Sequence, residues 1–283
     1  MATFQNECLR RITGAYKATP IPELQHEAGI PAIDTQIEAQ ILSSQISQAS
    51  TEETGLIEKE CKRIDKMIWK PKGSNHRKEI KQTPHRAKQK WAREILEELG
   101  EGQKNSGHST TKNERKKYTQ KFTNRKEETR WKLYQEKERR GRGKKTAAKE
   151  AAWDAKIDQL HAQLTKAQSA LAIQIRTEKI GFRDFLYQRK VPSINGPWCD
   201  CQRGRQTAKH IIAYCTKYST ERSRMYEQTG LRDYTQTVST AKGLKIVTRW
   251  IIKSGMLEQF RRATELLNEE ESEEQVVFSE DGP

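Results

Sequence analysis

Three cysteines and one histidine lie close together in the second half of the chain. They are Cys199, Cys201, His210 and Cys215, so one residue separates the first two cysteines, eight precede His210 and four precede Cys215. Three thiolates and one imidazole form a donor set that suits a tetrahedral zinc site. Because four protein ligands leave no position for water or substrate, this pattern favours a structural zinc knuckle over a hydrolytic centre. We expect one structural zinc ion here.

Spacing alone leaves a second interpretation of this cluster open. The three thiols could be buried side by side for packing, with the histidine at the surface by coincidence. The chain has five cysteines, an odd number with three of them clustered. This pattern of cysteines fits metal binding by free thiols in a reducing compartment better than it fits a disulfide framework.

The overall charge favours a polyanionic partner. The chain of 283 residues carries a net charge of +15, with 33% hydrophobic residues, a pI of about 9.6 and a mean hydropathy of -0.99. Nucleic acid, either RNA or DNA, is the commonest partner of such a chain. The sequence lacks an apolar run that could cross a bilayer and a secretory signal at its start. We therefore expect an intracellular protein that is not secreted and does not bind membranes, nuclear rather than cytoplasmic.

The positive charge is concentrated between Lys70 and Lys145, where about 25 basic residues face about 10 acidic ones. Aromatic residues interleave with the basic ones in the second half of this segment. They could stack on unpaired bases, or they could anchor a solvated helix to a neighbouring element, and the sequence leaves both possibilities open. These aromatic residues are Tyr118, Phe122, Trp131 and Tyr134.

Two groups of cations are predicted to contact nucleic acid. One group adjoins the cysteine cluster, and the other forms a glycine-containing basic run that cannot form a packed core. A nuclear import signal is a rival interpretation of the second group. The predicted contacts are Arg203, Arg205 and Lys209, together with Arg139, Arg140, Arg142, Lys144 and Lys145.

Apolar residues recur at helical spacing along most of the chain, which predicts a mainly α fold. A seam from Trp153 to Ile175 alternates steps of three and four, and predicts one helix from Thr146 to Arg176. Its apolar face could support self-association, which makes a helical scaffold an alternative function. The predicted segments are a helical segment at 1–69, a largely extended or flexible basic linker at 70–145, a helical zinc-knuckle domain at 146–268 and a disordered acidic tail at 269–283.

Residues that could carry out catalysis are not visible in the sequence. A polymerase needs paired aspartates for two metal ions, and an RNase H-type nuclease needs several acidic residues on strands. The acidic residues here lie on charged helical faces or in the tail, and the clustered cysteines are better used as ligands than as nucleophiles. We expect a protein that binds without catalysing.

Several segments together resemble one protein family. The stretches at both ends of the chain, and the Cys-x-Cys pair between them, are similar in order and residues to the region beyond the polymerase palm in non-LTR (LINE-type) retrotransposon reverse transcriptases. The segments that carry the resemblance are Leu9–Pro20, Glu27–Pro31, Gln174–Gly181, Arg189–Pro192, Arg205–His210 and Lys242–Trp250.

The resemblance implies a thumb-like segment at 1–69 and a terminal zinc knuckle that helps to hold template RNA or target DNA. It covers about two thirds of the chain. The chain lacks the Tyr-x-Asp-Asp motif of the family's palm, so the resemblance implies a non-catalytic nucleic-acid-binding fragment. The alternative is a thumb and C-terminal portion that is active only when joined to a catalytic palm.

Overall fold

The computed structural model describes residues 1–48, 63, 94, 111–141, 143–153 and 157–269. This part of the chain is mainly α-helical, which confirms the fold class predicted from the sequence. The helices are α1 (Ala2–Thr13), α2 (Ile21–Ala28), α3 (Ile33–Gln48), α4 (Lys112–Arg140), α5 (Ala147–Glu150), α6 (Ile157–His161), α7 (Lys166–Arg176), α8 (Arg183–Gln188), α9 (Ser219–Thr229), α10 (Tyr234–Thr237) and α11 (Ala241–Lys253). Residues 261–269 are also helical. Tighter or wider turns occur at His210–Tyr214, Thr216–Tyr218 and Glu258–Phe260.

Local sequence explains where several of these helices begin and end. The Thr165 hydroxyl accepts a hydrogen bond from the Gln168 amide at 3.3 Å, and the Gln168 side chain accepts one from the Thr165 amide at 3.0 Å, a capping box that starts α7. At the start of α11 the Thr240 hydroxyl accepts a hydrogen bond from the Gly243 amide at 3.2 Å. Helix α2 ends at Gly29, whose φ of 62° is a left-handed conformation that glycine adopts readily.

The single helix predicted from Thr146 to Arg176 is wrong, because α5, α6 and α7 are separate. The break lies where side chains from other helices bind the backbone. Trp131 donates its indole N–H to the Ala151 carbonyl at 2.8 Å, and Nε2 of His26 lies 2.9 Å from the Ala152 carbonyl oxygen. These partners satisfy carbonyls that a continuous helix would bond to its own next turn.

The chain divides into two compact units, which cut across the predicted boundaries. One unit contains Met1–Ile30 and Trp131–Pro283, and the other contains Pro31–Arg130. The sequence had instead predicted that residues 1–30 belong to one helical segment together with residues 31–69. In the structure, residues 1–30 pack on α7, through an apolar cluster formed by Leu9, Ala15, Leu24 and Ile173 and a buried ion pair between Glu27 and Arg176.

The first unit has a large apolar core, in which α7 and α11 pack together. The seam predicted for self-association lies partly inside this core, since Leu171 and Ile175 are fully buried. These two side chains therefore stabilise their own unit and do not present a surface to a second copy. Cys199 and Cys215 belong to the same core, with exposed fractions of 3% and 0%.

The second unit contains α3 and the first part of α4. Arg130 donates two hydrogen bonds to the Asp34 carboxylate at 2.8 and 2.9 Å, and Lys126 pairs with Glu38. Because the start of α3 lies beside Arg130 while its later turns pack beside Tyr118, the two helices run antiparallel. Their shared apolar core is formed by Ala39, Leu42, Ile46, Tyr118 and Phe122.

The region predicted as a largely extended or flexible linker, 70–145, contains α4, so this prediction is corrected for the described part. Residues 70–93 and 95–110 lie outside the described residues, as does the acidic tail beyond Glu269. The aromatic residues of α4 decide between the two interpretations left open by the sequence. Tyr118, Phe122 and Trp131 are at most 7% exposed, so they anchor the helix and are not available to stack on bases.

Candidate metal centre

A tight reversal of the chain positions the first two cysteines. The amide of Cys199 donates to the Gly204 carbonyl at 2.9 Å, and the Gln206 amide donates to the Pro197 carbonyl at 2.8 Å. Between them, the Gln202 amide donates to the Cys199 carbonyl at 2.9 Å. This closed turn holds Cys199 and Cys201 on one side of the loop.

A widened helical turn positions the other two residues of the cluster. Residues His210–Tyr214 form a π-helical turn, and the Cys215 amide donates to the His210 carbonyl at 2.7 Å, five residues back. In a regular α-helix, residues five apart diverge by roughly 140° around the axis. The wider π turn reduces this angle and aligns the two side chains. The π-helical turn therefore lets His210 and Cys215 face the same point despite their spacing of five residues.

The four side chains converge on one point. Their ligand atoms, three Sγ and one imidazole nitrogen, all lie within 4.8 Å of one another. The Sγ atoms of Cys199 and Cys215 are 3.7 Å apart. Two thiolates bound at tetrahedral angles to one zinc ion would be about 3.8 Å apart, given Zn–S bonds of about 2.3 Å. The cluster could therefore hold a metal ion without a large rearrangement.

His210 faces the cluster through Nε2, which lies 3.1 Å from Sγ of Cys201. In a metal complex this sulfur–nitrogen separation would be about 3.5 Å, so a bound ion would replace the hydrogen bond with a shift of a few tenths of an ångström. Metal binding through Nε2 requires the neutral ring with its proton on Nδ1. The arrangement therefore assigns Nε2 as the ligand atom.

The two cysteines of the loop differ in acidity. Burial raises the pKa of the Cys199 thiol to about 12. A backbone hydrogen bond from Arg203, helped by the hydrogen bond with His210, lowers the pKa of Cys201 to about 6. Cys201 therefore loses its proton more readily than Cys199, and metal binding must displace the proton that burial favours on Cys199.

Ion pairs of Asp200, which lies between Cys199 and Cys201, stabilise the loop that carries these two cysteines. Asp200 pairs with Arg183 at 2.5 Å and with Lys217 at 3.8 Å. Arg183 also donates to the carbonyl of Trp198 at 3.3 Å. These contacts connect the loop to α8 and to the turn after Cys215, so the cluster is fixed from both sides.

Sequence reasoning missed three residues that hold the ligands in place. The Thr207 hydroxyl accepts a hydrogen bond from the His210 amide at 3.1 Å, and the Arg222 guanidinium donates to the Cys215 carbonyl at 2.9 Å. A Cβ added to Gly204 would lie 3.0 Å from Nδ1 of His210, so glycine lets the imidazole approach the loop. Of these three, Thr207 could have been predicted from the sequence. Threonine is common just before the first turn of a helix, where its hydroxyl accepts a hydrogen bond from the backbone amide three residues later.

The structure describes seven of the eight predicted nucleic-acid contacts, and all seven are exposed: Arg139, Arg140, Lys144, Lys145, Arg203, Arg205 and Lys209. Arg142 lies outside the described residues. Three of the seven already have acidic partners. Arg205 pairs with Asp184, Arg140 pairs with Glu136, and Nζ of Lys144 lies 3.9 Å from the Asp184 carboxylate.

No known protein family, curated protein or solved structure matches this chain. Among the helices that the structure describes, none combines the length and apolarity needed to span a membrane.

Proposed function

We propose that Cys199, Cys201, His210 and Cys215 bind one structural zinc ion. The observation that carries this proposal is the convergence of their four ligand atoms within 4.8 Å. Three sulfur donors and one imidazole suit zinc, and four protein ligands complete its tetrahedral shell. Two of the sulfurs lie in the apolar core, where a metal would bridge the loop to the π-helical turn.

We further propose that this zinc-stabilised unit binds nucleic acid, RNA or DNA, without catalysing a reaction. The net charge of +15 supports a polyanionic partner. Zinc would hold the loop between Cys201 and His210 in one conformation, which would present Arg203 and Lys209 to a phosphate backbone together. Both of these side chains are exposed.

The sequence resemblance to LINE-type reverse transcriptases supports the same proposal. We propose that the chain corresponds to the region beyond the palm of such a polyprotein, which ends in a zinc knuckle. In this role the protein would hold template or target nucleic acid while a separate palm provided the chemistry. A nuclear site of action would follow from this role.

Salt dependence tests the nucleic-acid proposal. The affinity of the zinc-loaded protein for labelled single-stranded and duplex oligonucleotides would be measured by fluorescence anisotropy at about 50 mM and about 200 mM salt, and we expect a fall of at least about tenfold. Treatment with a chelator should weaken binding at both salt concentrations. The proposal fails if no oligonucleotide binds, or if the affinity does not change with salt.

The same titration separates the proposed function from a helical scaffold. A scaffold would self-associate through apolar contacts, which do not weaken as salt increases. Sedimentation of the protein without oligonucleotide, at both salt concentrations, measures this directly. A salt-insensitive oligomer with no affinity for oligonucleotides would support the scaffold.

A further inference from the structure

A groove on the surface of the first unit combines aromatic and basic side chains. It lies between α9 and α11 and has a volume of about 530 Å³. We call it the α9–α11 groove. The residues that define it are Tyr218, Arg224, Met225, Arg249, Trp250 and Lys253.

The base of the groove is apolar and aromatic. Met225 is 2% exposed, and the rings of Tyr218 and Trp250 meet edge to face with their centroids 5.7 Å apart. Both rings are partly exposed, so each keeps a surface that a ligand can contact. They differ in this respect from the buried aromatic residues of α4. A planar ligand entering the groove would therefore meet an aromatic surface.

The rim of the groove is predominantly basic. Arg224, Arg249 and Lys253 line it and are exposed, and the opposing charge among its lining residues is Glu221. Three cations around an aromatic floor match the two parts of a nucleotide. The phosphate attracts the cations, and the nucleobase can stack on the aromatic rings. An acidic peptide would satisfy the cations but would leave the aromatic surface without a planar partner.

We propose that the α9–α11 groove binds single-stranded nucleic acid, with a base stacked on Trp250 and adjacent phosphates held by Arg224, Arg249 and Lys253. A base inside a duplex is already stacked and paired, so it cannot reach an aromatic surface within a groove. The proposal rests on the nucleic-acid-binding function proposed above. It adds a site separate from the cations predicted from the sequence, and it adds a preference for single strands.

The metal cluster and the groove share a structural element. Tyr218 is the last residue of the turn Thr216–Tyr218, which follows Cys215 directly, and Arg222 of α9 donates to the Cys215 carbonyl at 2.9 Å. A metal ion bound by Cys215 would therefore fix one wall of the groove. Removal of the metal should weaken single-strand binding even though no groove residue is a ligand.

Matched charge variants test the site. The groove variant carries Arg224→Gln, Arg249→Gln and Lys253→Gln, and the control carries Arg232→Gln, Lys242→Gln and Lys245→Gln. The control removes the same charge at exposed positions outside the groove lining. Anisotropy with labelled twelve-residue oligothymidine should show an affinity loss of at least about tenfold for the groove variant, and a markedly smaller loss for the control.

An aromatic series tests the stacking. Trp250→Leu keeps an apolar side chain for packing and removes the ring surface, and it should weaken oligothymidine binding by about fivefold or more. Trp250→Phe should restore most of this loss, which a purely structural role would not require. Circular dichroism and zinc content of each variant check that the unit stays folded.

The outcomes distinguish the groove from the general function. If wild-type protein binds oligothymidine but the groove and control variants lose affinity equally, the groove proposal is overturned and the nucleic-acid function stands. If the wild type binds no oligonucleotide, both proposals fail. If duplex binds as tightly as the single strand, or if polyglutamate of equal charge displaces oligothymidine equally well, the single-strand site is contradicted. A comparison with oligouridine shows which nucleic acid the groove prefers.

Discussion

Arg176 and Glu27 form a buried ion pair between residues that are 149 positions apart in the sequence. Arg176 Nε donates to Oε2 of Glu27 at 2.6 Å and Nη2 donates to Oε1 at 3.0 Å, while Nη1 donates to the Val238 carbonyl at 2.7 Å. The Arg176 and Glu27 side chains are at most 2% exposed. The pair connects α2 to α7 and fixes the first thirty residues to the unit that carries the metal cluster.

Removal of one partner of this pair should destabilise the protein strongly. Glu27→Gln leaves the buried Arg176 charge without a carboxylate, and we expect a loss of about 3 kcal/mol in the free energy of unfolding. Urea unfolding followed by circular dichroism measures this. Glu7→Gln removes the exposed pair between Glu7 and Arg11 and is the control, with an expected change below about 0.5 kcal/mol. Equal losses in the two variants would contradict a structural role for the buried pair.

Acid should weaken the same contact. Burial acts to raise the pKa of Glu27, but hydrogen bonds and charge from His26 and Arg176 outweigh it and hold the pKa below its ordinary value of 4.5. Because the folded protein lowers this pKa, the contribution to stability is complete above about pH 4.5 and is lost as the pH falls further. The stability difference between wild type and Glu27→Gln should therefore shrink below that pH. A difference that stays constant from pH 7 to pH 3.5 would contradict the assignment.

Gly204 should be required for tight metal binding. A methyl group at this position would lie 3.0 Å from Nδ1 and 3.2 Å from Cε1 of His210, so Gly204→Ala should displace the imidazole and lower zinc affinity by about tenfold. Competition with a chromophoric chelator measures the affinity. Gly196→Ala is the matched control, because its added methyl would make an ordinary contact of 3.5 Å with Trp198. Unchanged affinity in Gly204→Ala would show that the loop does not position His210.

Gly243 should be required for packing at the start of α11. A Cβ at this position would lie 2.1 Å from the carbonyl oxygen of Thr237, a backbone atom that cannot rotate away. Gly243→Ala should therefore lower the free energy of unfolding by about 2 kcal/mol, whereas Lys242→Ala at the exposed neighbouring position should change it by less than about 0.5 kcal/mol. Thermal unfolding of both variants tests this. A stable Gly243→Ala variant would indicate that α10 and α11 are packed more loosely.

The metal cluster could be predicted from the sequence because its geometry is local. Its four residues span only 17 positions. A regular α-helix would point His210 and Cys215, five residues apart, in different directions, and the π-helical turn aligns them. The helix caps at Thr165 and Gly29 also depend only on neighbouring residues. The prediction of one helix from Thr146 to Arg176 nevertheless missed the cap at Thr165, because the apolar spacing continues through it.

The break after α5 could not be predicted, because its causes lie far away in the sequence. Residues 151–153 contain neither glycine nor proline, and the apolar spacing continues through them. The carbonyls of Ala151 and Ala152 are bound by Trp131 and His26 from other helices. The pairing of Glu27 with Arg176 escaped prediction for the same reason, since helical periodicity does not identify which distant charge a buried residue meets.

The zinc content of the purified full-length protein tests the central claim most directly. Mass spectrometry of metals should find about one zinc per chain in the wild type and in Cys8→Ser, which changes a cysteine outside the cluster. Cys199→Ser and His210→Gln should each carry substantially less zinc, because each removes one of four ligands. A wild-type protein that is folded and free of metal, or cluster variants that keep the full zinc content, would contradict the account.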